Sequence, residues 1–496
     1  MTEIVQSLAL GFSVALTPTN LFYCLLGVAG GTLIGVLPGI GPVTTVAILL
    51  PLTFGMNPTS ALIMLAGIYY GSQYGGSTTA ILINTPGETS SVMTCLDGYR
   101  MARQGRAGPA LGMAAIGSFV AGTASVILLM LLARPLVKVA LGFGPAEYFA
   151  LMLLALCTLG GIVGESVAKG LLMAAFGLLL GTIGSDPMTG SPRFTFEIPS
   201  LLDGLDFLPV TLGLFAVAEV LTTAEGSLRQ QIYDRPITGI WPTRADWRAC
   251  RFTLPRATLI GFIVGVLPGA GATLASILAY MAEKRVSRHP ERFGTGVIEG
   301  VAAPETANNA ASGGAMVPLL TLGVPGSGTT AVLLGALMLY GLRPGPLLFE
   351  KNPDLVWGLI ASMYIGNVLL LVLNLPLIGL WVRLARVPPR VLLPLILIFC
   401  FTGTYAVSNN VFDLYVLATF GVVGWALQRH GFPVAPVVLG LILGPMLETH
   451  FRRALILSRG DWWFFLDRPI AATLVGAVVL YLALPVGAWA WRRARG

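Results

Sequence analysis

The chain has 496 residues, of which 11% are charged and 55% hydrophobic, and its mean hydropathy is +0.81. Against the ~25% charge of a soluble domain, this balance excludes an ordinary soluble enzyme and fits a polytopic membrane protein with room for about a dozen spans of ~20 residues. The net charge of +7 rests mostly on Arg residues in short loops between apolar runs, without interleaved aromatics; that is the positive-inside pattern of membrane loops, and it excludes a nucleic-acid surface.

In chain order, the N-terminus MTEIVQSLALGF has neither a basic n-region nor a small-residue cleavage site and is read as mature sequence. Apolar segments then fall near 4–40, 42–54 and 58–86. The first contains GTLIGVLPGIG at 31–41, where Pro38 removes a backbone donor and glycines permit a turn. Such an element is read, because it occurs twice, as a broken or re-entrant helix, tolerated at membrane depth only where it is buried in protein or lines a wet cavity; a Pro kink that only shapes helix packing is the alternative. YGSQYGGSTTAILINTPGETSS at 70–91 follows, too polar to face lipid, with no charge between Glu3 and Glu88. The basic stretch DGYRMARQGR at 97–106 precedes segments near 109–133, 145–162, 166–184 and 207–224. The hydrophilic stretch 226–252 divides the chain, and segments near 257–281, 298–340, 355–382, 391–407, 411–428, 434–457 and 469–491 complete about 12–14 membrane elements of an all-α fold.

The halves repeat. GFIVGVLPGAG at 261–271 matches 31–41 at an offset of 230, and the pair GG (75–76) with NTPGETSS (84–91) is echoed by GG (313–314) with GVPGSGTT (323–330). The loop after the first GVLPG element is uncharged (LTFGMNP), whereas its counterpart reads EKRVSRHPER at 283–292; the loop at 97–106 is basic, whereas its counterpart at 335–346 has one Arg. Opposite charge bias places equivalent loops on opposite sides of the membrane, the inverted-topology repeat of secondary transporters. The expected organisation is a first membrane repeat at 1–225, a cytoplasmic linker at 226–255, and a second membrane repeat with C-terminal helices at 256–496. Residues 257–281 are flanked by basic stretches on both sides, which predicts a hairpin turning at Pro268–Gly271.

The candidate substrate- and ion-binding residues gather in these motifs: Gly39, Gly41, Thr44, Thr45, Ser77, Thr78, Asn84, Thr85, Gly87 and Glu88 in the first half, and Gly269, Gly271, Glu305, Asn308, Asn309, Ser312, Gly313, Gly326, Ser327, Thr329 and Thr330 in the second. Glycines and small hydroxyls let backbone groups approach a ligand, and half-helix ends offer positive dipoles to an anion and carbonyls to a cation. Any one Ser, Thr or Gly in a membrane helix is more often a packing residue, so the cluster carries the reading. Glu88 and Glu305 are gating or ion-coupling candidates, with a surface ion pair beside Asp97 as the alternative for Glu88. The adjacent amides Asn308 and Asn309 require partners in an apolar setting. GVPGSGTT lacks the Lys of a phosphate-binding loop. The five cysteines are isolated packing residues, and His289, His430 and His450 lie in or near loops, so no metal ligand set, cofactor site or catalytic constellation is expected.

The run GVLPGIG, YYGSQYGGSTTAILINTPGE and DGYRMARQGRAGPALG, with GVLPGAGATLA and EGVAAPETANNAASGGAMVPLLTLGVPGSGTTAVLLGAL in the second half, resembles the large membrane subunit (TctA) of tripartite tricarboxylate transporters over at least residues 20–425. The resemblance implies a non-enzymatic inner-membrane permease that works with a small membrane subunit and a periplasmic substrate-binding protein. It implies import of a di- or tricarboxylate coupled to a cation gradient, usually Na⁺. Matched motif by motif, it points to Asn84, Thr85, Pro86, Gly87 and Glu88, and to Glu305, Asn308, Asn309, Ser312, Gly313, Ser327, Thr329 and Thr330. An ion or solute channel with re-entrant selectivity loops is the alternative, and residues beyond about 430 match no quoted pattern.

Overall fold

The computed structural model describes residues 2–37, 40–162, 166–225, 239–269, 271–384, 387 and 389–495. Pro38, the candidate Gly39, Ala270 and the 226–238 part of the expected linker lie outside the described residues. The fold is all-α: α1 (Thr2–Ala15), α2 (Pro18–Gly35), α3 (Pro42–Leu49), α4 (Pro58–Ile83), α5 (Val92–Arg103), α6 (Ala107–Ala140), α7 (Pro145–Ile162) and α8 (Val167–Leu180) lead to a short antiparallel pair, β1 (Gly184–Ser185) with β2 (Pro192–Arg193). Then come α9 (Phe207–Leu212), joined through one π-helical turn to α10 (Ala218–Glu225), α11 (Arg244–Cys250), α12 (Thr253–Val266), α13 (Gly271–Val286), α14 (Glu299–Leu322) and α15 (Gly328–Leu339). The chain continues through α16 (Pro346–Lys351), α17 (Pro353–Asn374), α18 (Ile378–Leu384), α19 (Pro389–Ser408), α20 (Val411–Arg429), α21 (Ala435–Leu457), α22 (Phe464–Asp467) and α23 (Pro469–Arg495).

Among the described residues, six helices or continuous helical stretches are long and apolar enough to cross a bilayer by themselves: α2, α6, α9 to α10, α17, α19 and α20. This is fewer than the 12–14 elements expected from apolar runs. Helices α4 and α14 have the length, 26 and 24 residues, but are diluted with Gly, Ser, Thr and Asn; α3, α8 and α15 are apolar and too short. The chain is a multi-pass membrane protein whose most deeply buried helices, α4 and α14, are long and polar-diluted.

Two hairpins are the central feature. The hydroxyl of Thr253 at the start of α12 donates to Glu283 near the end of α13 at 3.0 Å. The two helices therefore return to one face, as the flanking charges predict, and the break falls at 267–270. α12 begins at Thr253, inside the stretch expected to be linker. In the first half α2 runs parallel to α4, with Gly27, Gly31 and Gly35 against the backbone of Met64, Ile68 and Ser72. The return through α3 and a 3-10 turn at Leu50–Thr53 brings the chain back to the start of α4. In the second half Gly261 and Gly265 of α12 lie in the same way on Ala307 and Ala311 of α14. The glycines shared by the two GVLPG motifs thus let each hairpin sit backbone to backbone on the long helix that follows it.

The long helices α4 and α14 cross antiparallel at the centre, since Gln73 meets Ser312 and Ser77 meets Glu305. Two faces follow. One gathers the Arg-rich loops, where Arg106 reaches Asp246 at 2.5 Å and the α5 segment grips residues 294–297. On the other, the Tyr340 hydroxyl donates to the Thr53 carbonyl at 2.5 Å, joining the uncharged loop of the first half to the loop after α15. The halves interleave, with α6 against α14, α8 against α21 and α1 against α17.

A Cβ on Gly35 or Gly265 would overlap the Ser72 or Ala311 carbonyl. Gly35→Val and Gly265→Val are each expected to destabilise the purified protein by about 2 kcal/mol or more, read as a drop in detergent melting temperature. Gly379→Val, with no atom within 4 Å of its Cβ position, should leave melting unchanged.

Candidate functional site

Each long central helix stops at a Pro-Gly break, and the breaks are built alike. α4 ends on Asn84 in the left-handed region (φ 57°), and α14 ends on Gly323 (φ 70°). Asn tolerates that conformation better than other side chains, and Gly has no penalty there. After each Pro-Gly pair comes a capping box. The Glu88 amide donates to Ser91 Oγ at 3.4 Å, and the Ser327 amide donates to Thr330 Oγ1 at 2.8 Å, with Glu88 and Ser327 receiving the reciprocal N–H. New helices start immediately, a 3-10 turn running into α5 in one half and α15 in the other.

The hairpin tips meet these breaks. The Gly269 amide donates to the Gly326 carbonyl at 3.1 Å, and a Cβ on Gly41 would lie 3.7 Å from that of Glu88. Contacts also cross between halves: Thr89 and Thr273 share a hydroxyl hydrogen bond of 2.7 Å, and Val43 of α3 packs on Gly328. Four helix N-termini, those of α3, α13, α15 and the segment opening at Glu88, therefore converge from both halves. Thr89 is exposed there, while Gly41, Gly271, Thr273 and Ser327 are half-buried, leaving an uncharged polar patch ringed by amide ends; Asn84, at the end of α4, is exposed and Thr85 half-buried. The N-terminus at Glu88 is already covered by that carboxylate, whereas the one at Ser327 is capped by a neutral hydroxyl.

Below the patch lies a buried polar network between α4 and α14. Glu305 is fully buried and accepts from Ser77 on α4, from Thr94 on α5 at 2.5 Å and from Asn308 at 3.2 Å. Asn309 donates to Ser118 of α6 at 2.8 Å and to the Glu305 carbonyl at 3.2 Å. With its amide oriented to suit both neighbours, Gln73 donates to Glu88 Oε2 at 2.9 Å and accepts from Ser312 Oγ at 3.1 Å. The Asn308 carbonyl lies 3.0 Å from the same hydroxyl, so the one Ser312 proton is shared between that carbonyl and Gln73. The network thus runs from Glu88 to Glu305 through side chains of both halves. Neither carboxylate makes an ion pair among the described residues, and Glu88 is buried, so the surface pair with the basic loop does not form. The Tyr70 and Tyr74 hydroxyls, Thr306 Oγ1 and Asn309 Oδ1 are buried without a protein partner. A cavity of about 10 Å³, room for one water, opens among Tyr74, Ser77, Thr78 and Asn374.

The remaining candidates have structural roles. Thr45 bonds back to the Gly41 carbonyl at 2.9 Å, and Thr44 and Thr329 are buried. Gly87 is pressed on Gly76, Gly313 on Ser125, and Gly326 on Ala315. Gln73, Thr94 and Ser118 join the network without having been singled out; the only sequence signal was the one-turn spacing of Gln73 and Ser77 on a helix face. Among the described residues no three His, Cys, Asp or Glu side chains are grouped to hold a metal ion.

Asp97 is the second buried acid that joins the halves. Its carboxylate accepts the amides of Gly294 at 2.9 Å, Gly296 at 2.8 Å and Val297 at 3.0 Å, and the Tyr280 hydroxyl at 2.8 Å. Read from sequence as part of a basic loop, it instead pins the loop between α13 and α14 to α5.

Comparison with known proteins places these features in a family. The family described as tripartite tricarboxylate transporter TctA matches residues 21–439. An uncharacterized 52.8 kDa protein of Agrobacterium vitis, from the TAR-I ttuC' 3' region, is 50% identical over 486 residues, covering 98% of this chain and 97% of the relative. A second uncharacterized A. vitis protein, from the TAR-II ttuC' 3' region, is 51% identical over 226 residues, covering 45% of this chain and 93% of its own length. No solved structure matches the chain.

Replacing Asp97 by Ala leaves four donors without their acceptor and is expected to cost about 3 kcal/mol. Trypsin should then cleave after Arg292 faster than in the wild type, as followed by gel electrophoresis of the detergent-purified protein.

Proposed function

The chain belongs to the tripartite tricarboxylate transporter TctA family, and from that premise we propose that it is the large permease subunit of a binding-protein-dependent secondary transporter. It imports a di- or tricarboxylate by cation symport, with Na⁺ as the coupling ion. Its partners are a small membrane subunit and a periplasmic substrate-binding protein, and it resides in the inner membrane. The Arg-rich face, with the 239–256 segment, is cytoplasmic by the positive-inside rule.

One observation carries this reading: four helix N-termini from the two halves converge on an uncharged, partly exposed patch. Amide ends without Arg or Lys suit a carboxylate that must be bound and then released. Because Glu88 occupies one of the four termini, substrate oxygens belong toward Ser327 and the start of α15. The antiparallel crossing of α4 and α14, the paired hairpins and the matched capping boxes support an inverted-topology repeat. The buried link from Glu88 through Gln73 and Ser312 toward Asn308 and Glu305 supports a site whose two halves respond together.

The test is uptake of labelled di- and tricarboxylates into proteoliposomes holding this chain and its small membrane subunit, with loaded binding protein outside. Accumulation against a gradient, dependent on inward Na⁺, is expected. Ser327→Ala and Asn309→Ala should lower it at least tenfold while the protein stays in the membrane, which ~1.4 kcal/mol of lost binding would suffice to produce. Flux that only equilibrates, indifferent to Na⁺ and proton gradients, would overturn the reading in favour of a channel.

A further inference from the structure

On the face opposite the Arg-rich one, a cavity of about 420 Å³ opens between the loop after β1, the loop after α15 and the far end of α21. Its size is that of a small-molecule pocket. Pro187, Met188, Met338 and Met446 make its apolar walls, and its polar lining is Arg343, Thr449, His450 and Arg453. No acid lines it. The two acids nearby are committed elsewhere: Asp186 accepts the Met188 and Thr189 amides and pairs with Arg452 at 2.8 Å, and Glu448 is held bidentately by Arg193 at 2.8 and 3.1 Å. Those backbone amides first, then Arg452, hold the Asp186 carboxyl below the usual carboxylate range, so it stays an anion bound to its own loop. Arg343 and Arg453 are exposed and make no ion pair among the described residues. His450, stacked on Tyr148 with ring centroids 5.1 Å apart, keeps a buried Nδ1 that has no partner.

We infer that this cavity is an anion-capture site for a small polycarboxylate, with Arg343 and Arg453 as its two clamps and His450 and Thr449 as its hydrogen-bonding wall. Two uncommitted guanidiniums suit planar, bidentate acid groups such as carboxylates, and the apolar floor suits a ligand that carries them on a compact carbon skeleton. Helix α15, 12 residues long, connects the two places: its far end enters this cavity, and its start at Gly328 is the helix terminus of the central patch, ~18 Å deeper. The site would concentrate substrate at the outer mouth. Its role in uptake rests on the transport reading, but its ligand chemistry does not.

The experiment is isothermal titration of the purified full chain with citrate and with succinate, first in detergent and then in nanodiscs with and without phosphatidylglycerol. Citrate is expected to bind, more weakly as salt rises from about 50 to about 300 mM. The Arg343→Gln/Arg453→Gln double variant should bind at least tenfold more weakly, and Met446→Trp, which fills the cavity without touching a charge, should abolish the same binding. Gly379→Val, outside the cavity and with no atom within 4 Å of its Cβ position, should leave it intact. Binding unchanged in both cavity variants, or no binding of either acid, would overturn the site. Phosphatidylglycerol that blocks citrate and is lost from the double variant on purification would also overturn it, reassigning the cavity to a lipid headgroup. A chain that binds citrate through these arginines yet fails to accumulate any acid would sink the transport reading alone.

Discussion

Hydrocarbon offers a broken helix nothing for the N–H and C=O groups it strands, and the architecture follows from sheltering such breaks inside protein. The chain has four at depth, two hairpin tips and two Pro-Gly interruptions, and uses each to cover another. Gly269 bonds Gly326, Gly41 lies on Glu88, and Thr89 meets Thr273 across the halves. That approach is possible because Gly31 and Gly35, and Gly261 and Gly265, allow each hairpin to press on the backbone of the following helix. A methyl group at those positions would hold the tips away from the interruptions and expose amide ends to lipid. The amide ends that remain partly open are the ones that face the central patch.

The polar network beneath the patch obeys the same economy. A carboxylate as deep as Glu305 is tolerable only with several donors, and it draws them from α4, α5 and its own helix, so its position is fixed by three elements. Movement of α14 against α4 would have to break or carry along that set. The network is therefore the element whose disturbance by a ligand at the patch would be felt in both halves.

Much of this was readable from sequence because its chemistry is written in distinctive residues. Two Pro-Gly breaks inside apolar runs, repeated at matched spacing, can hardly be ordinary spans, and basic flanks on both sides of 257–281 predict the hairpin that Thr253 and Glu283 close. Asn308, Asn309 and Glu305 stand out as polar groups that need partners. Other features leave no such mark. Thr94 and Ser118 are single hydroxyls in ordinary helices, and Asp97 looks like one more charge in a charged loop because its partners are main-chain amides. The interleaving of the halves was equally hidden, since a linear division at the midpoint says nothing about which lipid-facing helix packs on which.

Asp97 also sets a schedule for biosynthesis. Its partners lie 183 to 200 residues further along the chain, and the side chains that meet between α4 and α14 lie 228 to 239 apart. At ~5–20 residues per second, the ribosome needs on the order of 10–40 s to deliver them. Throughout that interval the newly made first half holds a carboxyl group and a row of hydroxyls with no native partner. Until Gly294–Val297 are made, those groups have only water or stand-in partners to satisfy them.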